Sequence, residues 1–94
     1  MKTITILGAG ESGFGAAMLA QHKGFNVFVS DLNKINEDRK SEMIKKSIMF
    51  EEENHSFDKI KSSDFVVKSP GISNSSEIIS KIKSSGIPIV SEIE

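Results

Sequence analysis

A short apolar run that breaks into a glycine loop constrains the fold of this chain more than any other feature. Residues 4–7 (Ile-Thr-Ile-Leu) are apolar and β-branched, as expected for a central strand covered on both faces. The loop that follows has the spacing G-x-G-x-x-G at Gly8, Gly10 and Gly13, and good helix formers come after it. This succession of strand, tight turn and helix predicts an α/β fold built from parallel strands.

Strand-like and helix-like segments alternate along the rest of the chain. Parallel neighbours in one sheet need crossover connections, so the alternation places helices on both faces of the sheet. We expect one Rossmann-like three-layer domain over residues 1–94, with a five-stranded parallel sheet in the order 3-2-1-4-5. Gly24 stands where a left-handed C-cap is expected, and Pro88 favours an edge position for the last strand. The predicted strands are 4–7, 25–29, 48–50, 65–67 and 87–90, and the predicted helices are 12–23, 35–46 and 76–85.

Three unusual turns follow predicted strands. The glycine loop follows the first strand, Asp31 follows the second, and Ser69-Pro70-Gly71 follows the fourth. Proline followed by glycine is typical of a type II turn, in which the glycine has a positive φ. In the order 3-2-1-4-5 these turns are neighbours at the carboxyl edge of the sheet, which predicts that they converge on one crevice.

The glycine loop has the chemistry of a phosphate site. The first amides of a helix have no intrahelical acceptor and the helix dipole adds positive charge, so anions bind there. Gly8 would permit the tight turn, Gly10 the approach of the phosphates, and Gly13 the close packing of helix on strand. The backbone amides of Glu11 and Ser12 would then face the ligand.

Asp31 has two interpretations that the residues alone leave open. It lies 18 positions after Gly13, where a dinucleotide-binding domain holds a ribose hydroxyl. An aspartate at a strand end is equally typical of a turn or a cap. The glycine loop likewise has an alternative, because glycine-rich turns also occur simply to let a helix pack closely on a strand.

Charge and residue content exclude several classes of function. Lysine plus arginine (12) nearly balance aspartate plus glutamate (13), so no positive field exists to hold nucleic acid or an anionic membrane. The absence of cysteine excludes disulfides, thiolate metal sites and cysteine nucleophiles. No apolar run approaches the ~20 residues that span a bilayer, and the start of the chain lacks the features of a signal peptide. We therefore expect a cytoplasmic protein without a nucleic-acid or membrane partner.

The remaining polar groups are interpreted as structural. Glu51-Glu52-Glu53 is expected to be a solvated strand end, since nothing supplies complementary metal ligands at a suitable spacing. His22 and His55 have no partnered nucleophile or metal ligand and are expected at the surface. Ser75 or Asn74 is predicted to cap the last helix. No catalytic residue and no metal site is expected in this chain.

Three segments together resemble a known family. "ILGAGESGFGAAMLAQHKGFNVFVSD" (6–31), "DFVVKSPGI" (64–72) and "GIPIVSEIE" (86–94) are similar to the N-terminal domain of the UDP-N-acetylmuramoyl-L-alanine:D-glutamate ligases, a branch of the Mur ligases of bacterial peptidoglycan synthesis. The resemblance runs nearly end to end and is weakest from about residue 34 to residue 60. S-P-G-I and S-E-I-E, at the ends of the fourth and fifth strands, are more specific than the glycine loop.

The resemblance implies a ligand other than NAD, namely the UDP portion of UDP-N-acetylmuramoyl-L-alanine. It places the diphosphate on the loop from Gly10 to Gly13, at the backbone of Glu11 and Ser12. In this family, hydroxyl or basic side chains are usual at the positions after the aspartate. This chain has Leu32 and Asn33 there, so these two residues would act through their backbone groups. The resemblance therefore places the uracil at Asp31, Leu32 and Asn33, and makes Ser69, Pro70 and Gly71 close the nucleotide site.

The rest of the family's chemistry requires parts outside these residues. The full enzyme uses ATP and magnesium to phosphorylate the substrate carboxylate, which the amine of D-glutamate then attacks. No G-x-x-x-x-G-K-[ST] motif occurs in the 94 residues, so this fragment is expected to have no ligase activity alone and no cofactor of its own. Two alternatives stay open: an NAD(P)-binding domain of a dehydrogenase or regulatory sensor, and a packing module with an empty glycine loop. Nothing in the sequence indicates the oligomeric state.

Overall fold

A parallel five-stranded sheet forms the centre of the computed structural model, which describes residues 2–73 and 75–91. The strands are β1 (Thr3–Leu7), β2 (Asn26–Ser30), β3 (Met49–Glu51), β4 (Phe65–Lys68) and β5 (Ile89–Val90). The helices are α1 (Glu11–His22), α2 (Glu37–Lys45), α3 (Phe57–Ile60) and α4 (Glu77–Ser84). All strand pairs are parallel, and the order β3-β2-β1-β4-β5 confirms the predicted topology.

The crossovers distribute the helices in pairs over the two faces of the sheet. Connections between parallel strands are right-handed. The chain adds β2 and β3 on one side of β1 and then returns to add β4 and β5 on the other side, so the connecting helices after this return lie on the opposite face of the sheet. One core cluster accordingly joins Ala17 and Ala20 of α1 to Met43 of α2. The other joins Ile60 of α3 to Ile79 of α4. The predicted three-layer arrangement is confirmed.

The first helix ends as its sequence predicts. Gly24 has a φ of 92°, which is the left-handed conformation of a C-cap glycine. The amide of Phe25 donates to the carbonyl of Ala20 over 3.1 Å, which closes a Schellman motif. This sharp end lets the chain enter β2 beside β1 after a very short connection.

The second helix is shorter than predicted. It begins at Glu37 instead of residue 35, because Asn36 acts as its N-cap. The Asn36 side-chain oxygen accepts from the amides of Asp38 (2.9 Å) and Arg39 (3.2 Å). Ile35 lies just outside the helix and fills the core, with 4% of its surface exposed.

Three details elsewhere in the chain also differ from the predictions. Ser76, not Ser75, is the N-cap of α4, and Asn74 lies outside the described residues. The predicted strand over 87–90 is reduced to its last two residues, since Pro88 has no amide to donate to β4. The four-residue helix α3 was not predicted, because it is too short to show a helical period. Of the S-E-I-E segment, residues 92–94 lie outside the described part of the chain.

Candidate functional site

An open cavity of about 580 Å³ lies at the carboxyl edge of the sheet, beside the reversal of strand order between β1 and β4. This is the position at which doubly wound sheets bind ligands. The three turns that follow β1, β2 and β4 meet there, as the strand order predicts. All ten residues proposed from the sequence line the cavity: Gly10, Glu11, Ser12, Gly13, Asp31, Leu32, Asn33, Ser69, Pro70 and Gly71.

The glycine loop holds α1 very close to the end of β1. Gly8 has a φ of 96°, and its amide donates to the carbonyl of Ser30 over 2.7 Å. A Cβ atom placed on Gly13 would lie only 1.8 Å from the carbonyl oxygen of Gly8, far inside van der Waals contact. Glycine is therefore required at position 13 for the helix to start where it does.

Gly10 has a different role from Gly13. A Cβ atom on Gly10 would meet nothing within 4 Å, so packing does not require a glycine there. Gly10 is the N-cap of α1, and no side chain caps the helix. Within the described residues, acceptors are found for the amides of Ala9 and Phe14 but not for those of Glu11 and Ser12, which lie between them. These two donors border the cavity and are free to bind an anion.

Asp31 joins two of the turns. Its Oδ2 accepts from the amide of Ala9 over 2.7 Å, and its Oδ1 accepts from the amide of Asn33 over 2.8 Å. The second contact is an Asx turn, and the first ties the glycine loop to the loop after β2. The geometry therefore supports the turn-forming interpretation of Asp31. Each carboxylate oxygen keeps a second lone pair that a ligand could use.

The expectation that the acidic run is a solvated strand end is wrong for two of its three residues. Glu51 accepts from the Ser30 hydroxyl (2.8 Å) and the Ser56 amide (2.7 Å). Glu52 accepts from the amide of Ile35 (2.8 Å) and from the Lys40 ammonium (3.0 Å). Both residues are half-buried and hydrogen-bonded to neighbouring segments of the chain, whereas the third residue of the run is exposed.

The turn after β4 is present, but it is not of type II. The amide of Ile72 donates to the carbonyl of Ser69 over 3.1 Å, which closes a four-residue turn with Pro70 at its second position. Gly71, at the third position, does not adopt the positive φ that a type II turn requires. The Lys68 ammonium donates to the Ile72 carbonyl over 2.8 Å and holds the turn from the strand side.

Two serine hydroxyls on the cavity wall are buried without a protein partner. Within residues 2–73 and 75–91, no hydrogen bond is found for the Oγ atoms of Ser69 and Ser76. A buried hydroxyl that lacks a partner is costly, and such groups are satisfied by solvent or by a ligand. Both residues line the cavity, from the turn after β4 and from the start of α4.

Sequence reasoning missed several lining residues, of which His55 is the most distinctive. His22 is exposed as expected, but His55 is half-buried and lines the cavity. The isolated bridge between Asp31 and Asn54 brings it there from the polar stretch after β3. That stretch has neither periodicity nor a motif, so no signal in the sequence identified it. The other missed lining residues are Gly8, Ile72, Ser73, Ser76 and Ile78.

Burial and hydrogen bonding shift the pKa values of His55, Glu51 and Glu52. Burial lowers the pKa of His55, and the carboxylates of Glu51 and Asp31 oppose this shift only in part. Burial opposes ionisation of Glu51, but hydrogen bonds from Ser56 and Ser30 outweigh it and hold its pKa below the usual value. The pKa of Glu52 is also lowered, by the amide of Ile35 and the ammonium of Lys40.

We expect the stability of the domain to fall in two steps as the pH is lowered. The folded-state pKa of His55 is below its unfolded value of about 6.5, so the unfolded chain takes up that proton first and stability declines below this pH. Stability that depends on ionised Glu51 is present above its usual pKa of 4.5 and is lost as the pH falls through the depressed folded-state value. Thermal melts between about pH 8 and pH 3 measure both steps.

A histidine variant separates the two steps. His55→Asn cannot titrate but keeps a donor next to Ser30, so it should remove the first decline and leave the second. A wild-type melting temperature that is constant across the first interval would contradict the assignment to His55.

The described residues contain neither a membrane-spanning helix nor a cluster of metal ligands. Across 2–73 and 75–91, none of the helices combines the length and apolar character needed to cross a bilayer. Nor do the histidine, aspartate and glutamate side chains of that part of the chain form a group of three or more suited to a metal ion.

Comparison with known sequences gives a family match. Residues 3–78 match the family model of the MurD N-terminal domain. The UDP-N-acetylmuramoylalanine--D-glutamate ligase of Bacteroides fragilis is 50% identical over 94 residues, covering 100% of this chain and 21% of the relative. The ligase of the same name from Cytophaga hutchinsonii is 47% identical over 93 residues, covering 99% of this chain and 21% of the relative. The chain thus spans about a fifth of the length of these curated relatives.

Comparison with solved structures gives the same fold. A murein peptide ligase from Psychrobacter arcticus superposes with a TM-score of 0.85 at 23% identity, over 96% of this chain and 19% of that one. The UDP-N-acetylmuramate:L-alanyl-gamma-D-glutamyl-meso-diaminopimelate ligase from Neisseria meningitides gives 0.81 at 24% identity, over 96% of this chain and 28% of that one. At these identities the likeness establishes the Rossmann-like fold.

Proposed function

The chain belongs to the MurD N-terminal domain family, and on this premise we propose that it binds the UDP portion of UDP-N-acetylmuramoyl-L-alanine. The observation that carries the proposal is the pair of free amides at the start of α1, which border a cavity large enough for a nucleotide. Cavities of 300–1,000 Å³ are typical of small-molecule sites. The diphosphate would lie on the amides of Glu11 and Ser12, where the helix dipole also favours negative charge.

The other two turns supply groups suited to the uridine. Asp31, Leu32 and Asn33 form one wall, with the half-exposed apolar surface of Leu32 available to the face of a base. Ser69 and Ser76 also line the cavity, and no partner for their buried hydroxyls is found within residues 2–73 and 75–91, so either hydroxyl could bond to a ligand oxygen once its side chain turns toward the cavity. A bound nucleotide would thereby satisfy polar groups that the protein leaves without partners.

We place this domain at the start of a longer ATP-dependent ligase that adds D-glutamate to the bound substrate. The relatives that share its sequence carry that name and are about five times as long. ATP, magnesium and D-glutamate would be bound by the parts of the protein beyond these residues, and the fragment alone would not be a ligase. Such an enzyme would act in the cytoplasm, where ATP and UDP-linked precursors are available.

The contacts of Asp31 disfavour the main rival function, an NAD(P)-binding domain, and the family match favours UDP. In dinucleotide-binding domains the acidic residue after the second strand bonds to the ribose 2′-hydroxyl. Here each oxygen of that carboxylate already accepts a short bond from a main-chain amide. Asp31 is therefore engaged in shaping the two loops and is less available for a bidentate contact with a ribose.

We expect the isolated domain to bind UDP with a dissociation constant near 1 mM or weaker. Two or three hydrogen bonds to a charged diphosphate contribute about 1.5–3 kcal/mol each, against an association cost of about 4–15 kcal/mol. Contacts from the rest of the enzyme would supply the remaining affinity. Titration of ¹⁵N-labelled protein with UDP should shift the amide resonances of residues 10–13, 31–33 and 69–72.

The same titration with other ligands tests the alternatives. Perturbation of these amides by NADH but not by UDP or UDP-N-acetylmuramoyl-L-alanine would reject the proposal in favour of a dehydrogenase-type domain. The absence of any shift with all three ligands would support a packing module with an empty loop. A dissociation constant in the micromolar range would show that the domain needs no help from other domains to hold its ligand.

A further inference from the structure

A buried hydroxyl group fixes the orientation and the proton of His55. The Ser30 side chain is fully buried at the end of β2. Its Oγ lies 2.8 Å from Glu51 Oε2, 3.1 Å from the carbonyl oxygen of Asn54 and 2.7 Å from Nδ1 of His55. All three contacts are within hydrogen-bond distance, so the hydroxyl is the centre of a small network.

Counting protons in this network determines the tautomer of the histidine. A serine hydroxyl has one proton to donate. The Glu51 carboxylate is held ionised by its hydrogen bonds, and the Asn54 carbonyl can only accept, so the proton of Ser30 is directed to one of these oxygens. The short contact to His55 then requires a proton on Nδ1 that is donated to Ser30 Oγ. Burial keeps the ring neutral, and Nε2 therefore carries a lone pair.

The lone pair of Nε2 points away from the network. The two ring nitrogens are separated by one carbon atom and their bonding directions diverge, so a ring whose Nδ1 contacts buried Ser30 has Nε2 on the side away from Ser30, where His55 borders the cavity and the adjoining space beside Asn54 and Lys81. Among the described residues, no hydrogen bond to Nε2 is found. The fold thus presents a positioned acceptor to the cavity, on the wall that also contains Asp31 and Leu32.

The geometry points to His55 as a specificity-determining residue whose Nε2 accepts a hydrogen bond from the nucleoside of the bound nucleotide. This inference rests on the proposed binding of UDP. The diphosphate of a UDP-linked sugar carries no proton at neutral pH, so it cannot donate a hydrogen bond to a neutral acceptor. The nucleoside, in contrast, offers the N3–H of uracil and the ribose hydroxyls. Two carboxylates beside the histidine, those of Glu51 and Asp31, also disfavour a phosphate on this wall.

The tautomer is tested without any ligand. A long-range ¹H–¹⁵N NMR spectrum of the imidazole distinguishes a protonated ring nitrogen from one that carries a lone pair. At neutral pH we expect the proton of His55 on Nδ1 and the lone pair on Nε2. A proton on Nε2 would overturn the inference.

Two variants separate a ligand contact from a structural role. His55→Asn places its amide nitrogen near the position of Nδ1, so it keeps the donor to Ser30 and loses the acceptor. His55→Gln places an oxygen near the position of Nε2, so it keeps an acceptor and loses that donor. At neutral pH we expect His55→Asn to melt like the wild type and to bind UMP about 2- to 10-fold more weakly, as for one lost neutral hydrogen bond. We expect His55→Gln to bind UMP more tightly than His55→Asn does. Full UMP affinity in His55→Asn would overturn the inference.

Ligand analogues identify the donor and separate this inference from the proposed function. One of two analogues, N3-methyl-UMP or a deoxy-UMP lacking one ribose hydroxyl, should bind to the wild type about 2- to 10-fold more weakly than UMP does. His55→Asn should bind the same analogue as well as it binds UMP. Equal binding of all analogues by the wild type would overturn the role of His55 while leaving UDP binding intact. If uridine nucleotides fail to shift the amides of residues 10–13 in the wild type, the proposed function fails and this inference fails with it.

Discussion

Replacing Gly13 by alanine should destabilise the domain by about 3 kcal/mol or more, which is a large part of the 5–15 kcal/mol typical of a folded domain. The added methyl group would lie 1.8 Å from the carbonyl oxygen of Gly8 and 2.7 Å from its carbonyl carbon. Both are backbone atoms, so no side-chain rotation relieves the clash. The helix α1 would have to move away from the end of β1 by about 1 Å, against a closely packed contact with its backbone. The melting temperature should fall by roughly 10–25 °C.

Gly15→Ala is the matched control for this prediction. Gly15 lies in the same helix, but a Cβ atom there would meet nothing within 4 Å. Alanine is favoured over glycine inside a helix by about 0.5–1 kcal/mol, so this variant should be slightly more stable than the wild type. Thermal and urea unfolding of the two variants measure the difference. Equal stabilities would mean that α1 is not packed against Gly8 as described.

Replacing Gly10 by aspartate should abolish UDP binding without destabilising the fold. Gly10 is the N-cap of α1 in an extended conformation, and its Cβ position is open. Aspartate is a better N-cap than glycine by a few tenths of a kcal/mol, and its charge suits the helix dipole. Its carboxylate would accept from the amide of Ser12, one of the two proposed for the diphosphate, or from that of Gly13, and would repel the anion. Loss of one or two charged hydrogen bonds corresponds to a fall in affinity of about 10- to 100-fold or more.

The control variant here is Gly15→Asp. It adds the same charge to an exposed position of the same helix, but away from the amides at its start. We expect Gly15→Asp to retain most UDP affinity, whereas Gly10→Asp should show no amide shifts at millimolar UDP and an unchanged or higher melting temperature. UDP binding by Gly10→Asp at the wild-type level would locate the phosphate site elsewhere.

The two glycines of one motif have separable roles, and the structure shows the contacts that separate them. In the sequence, the G-x-G-x-x-G pattern predicts the approach of the phosphates at Gly10 and the close packing of helix on strand at Gly13. The structure shows a backbone contact that excludes a side chain at Gly13 and open space at Gly10. A change at Gly10 should affect binding, and a change at Gly13 should affect folding.

The sequence by itself determined the order of the sheet, the position of the crevice and the residues of the three turns around it. These follow from local chemistry: apolar runs form strands, unpaired amides start a helix, and right-handed crossovers allow few topologies. The ends of elements were predicted less well, because a local hydrogen bond decides each one. Asn36 starts α2 by accepting two amide bonds, and Gly71 closes its turn without the positive φ expected of it.

Only the tertiary structure decided the roles of Glu51, Glu52 and His55. These residues belong to a polar stretch without periodicity, and a polar side chain in such a stretch is solvated unless distant parts of the chain supply partners. The partners here are Ser30, Ile35 and Lys40, which are 12 to 25 positions away in the chain and adjacent only after β3 pairs with β2. Hydrogen bonds between residues so far apart depend on three-dimensional contact, which no local pattern in the sequence encodes.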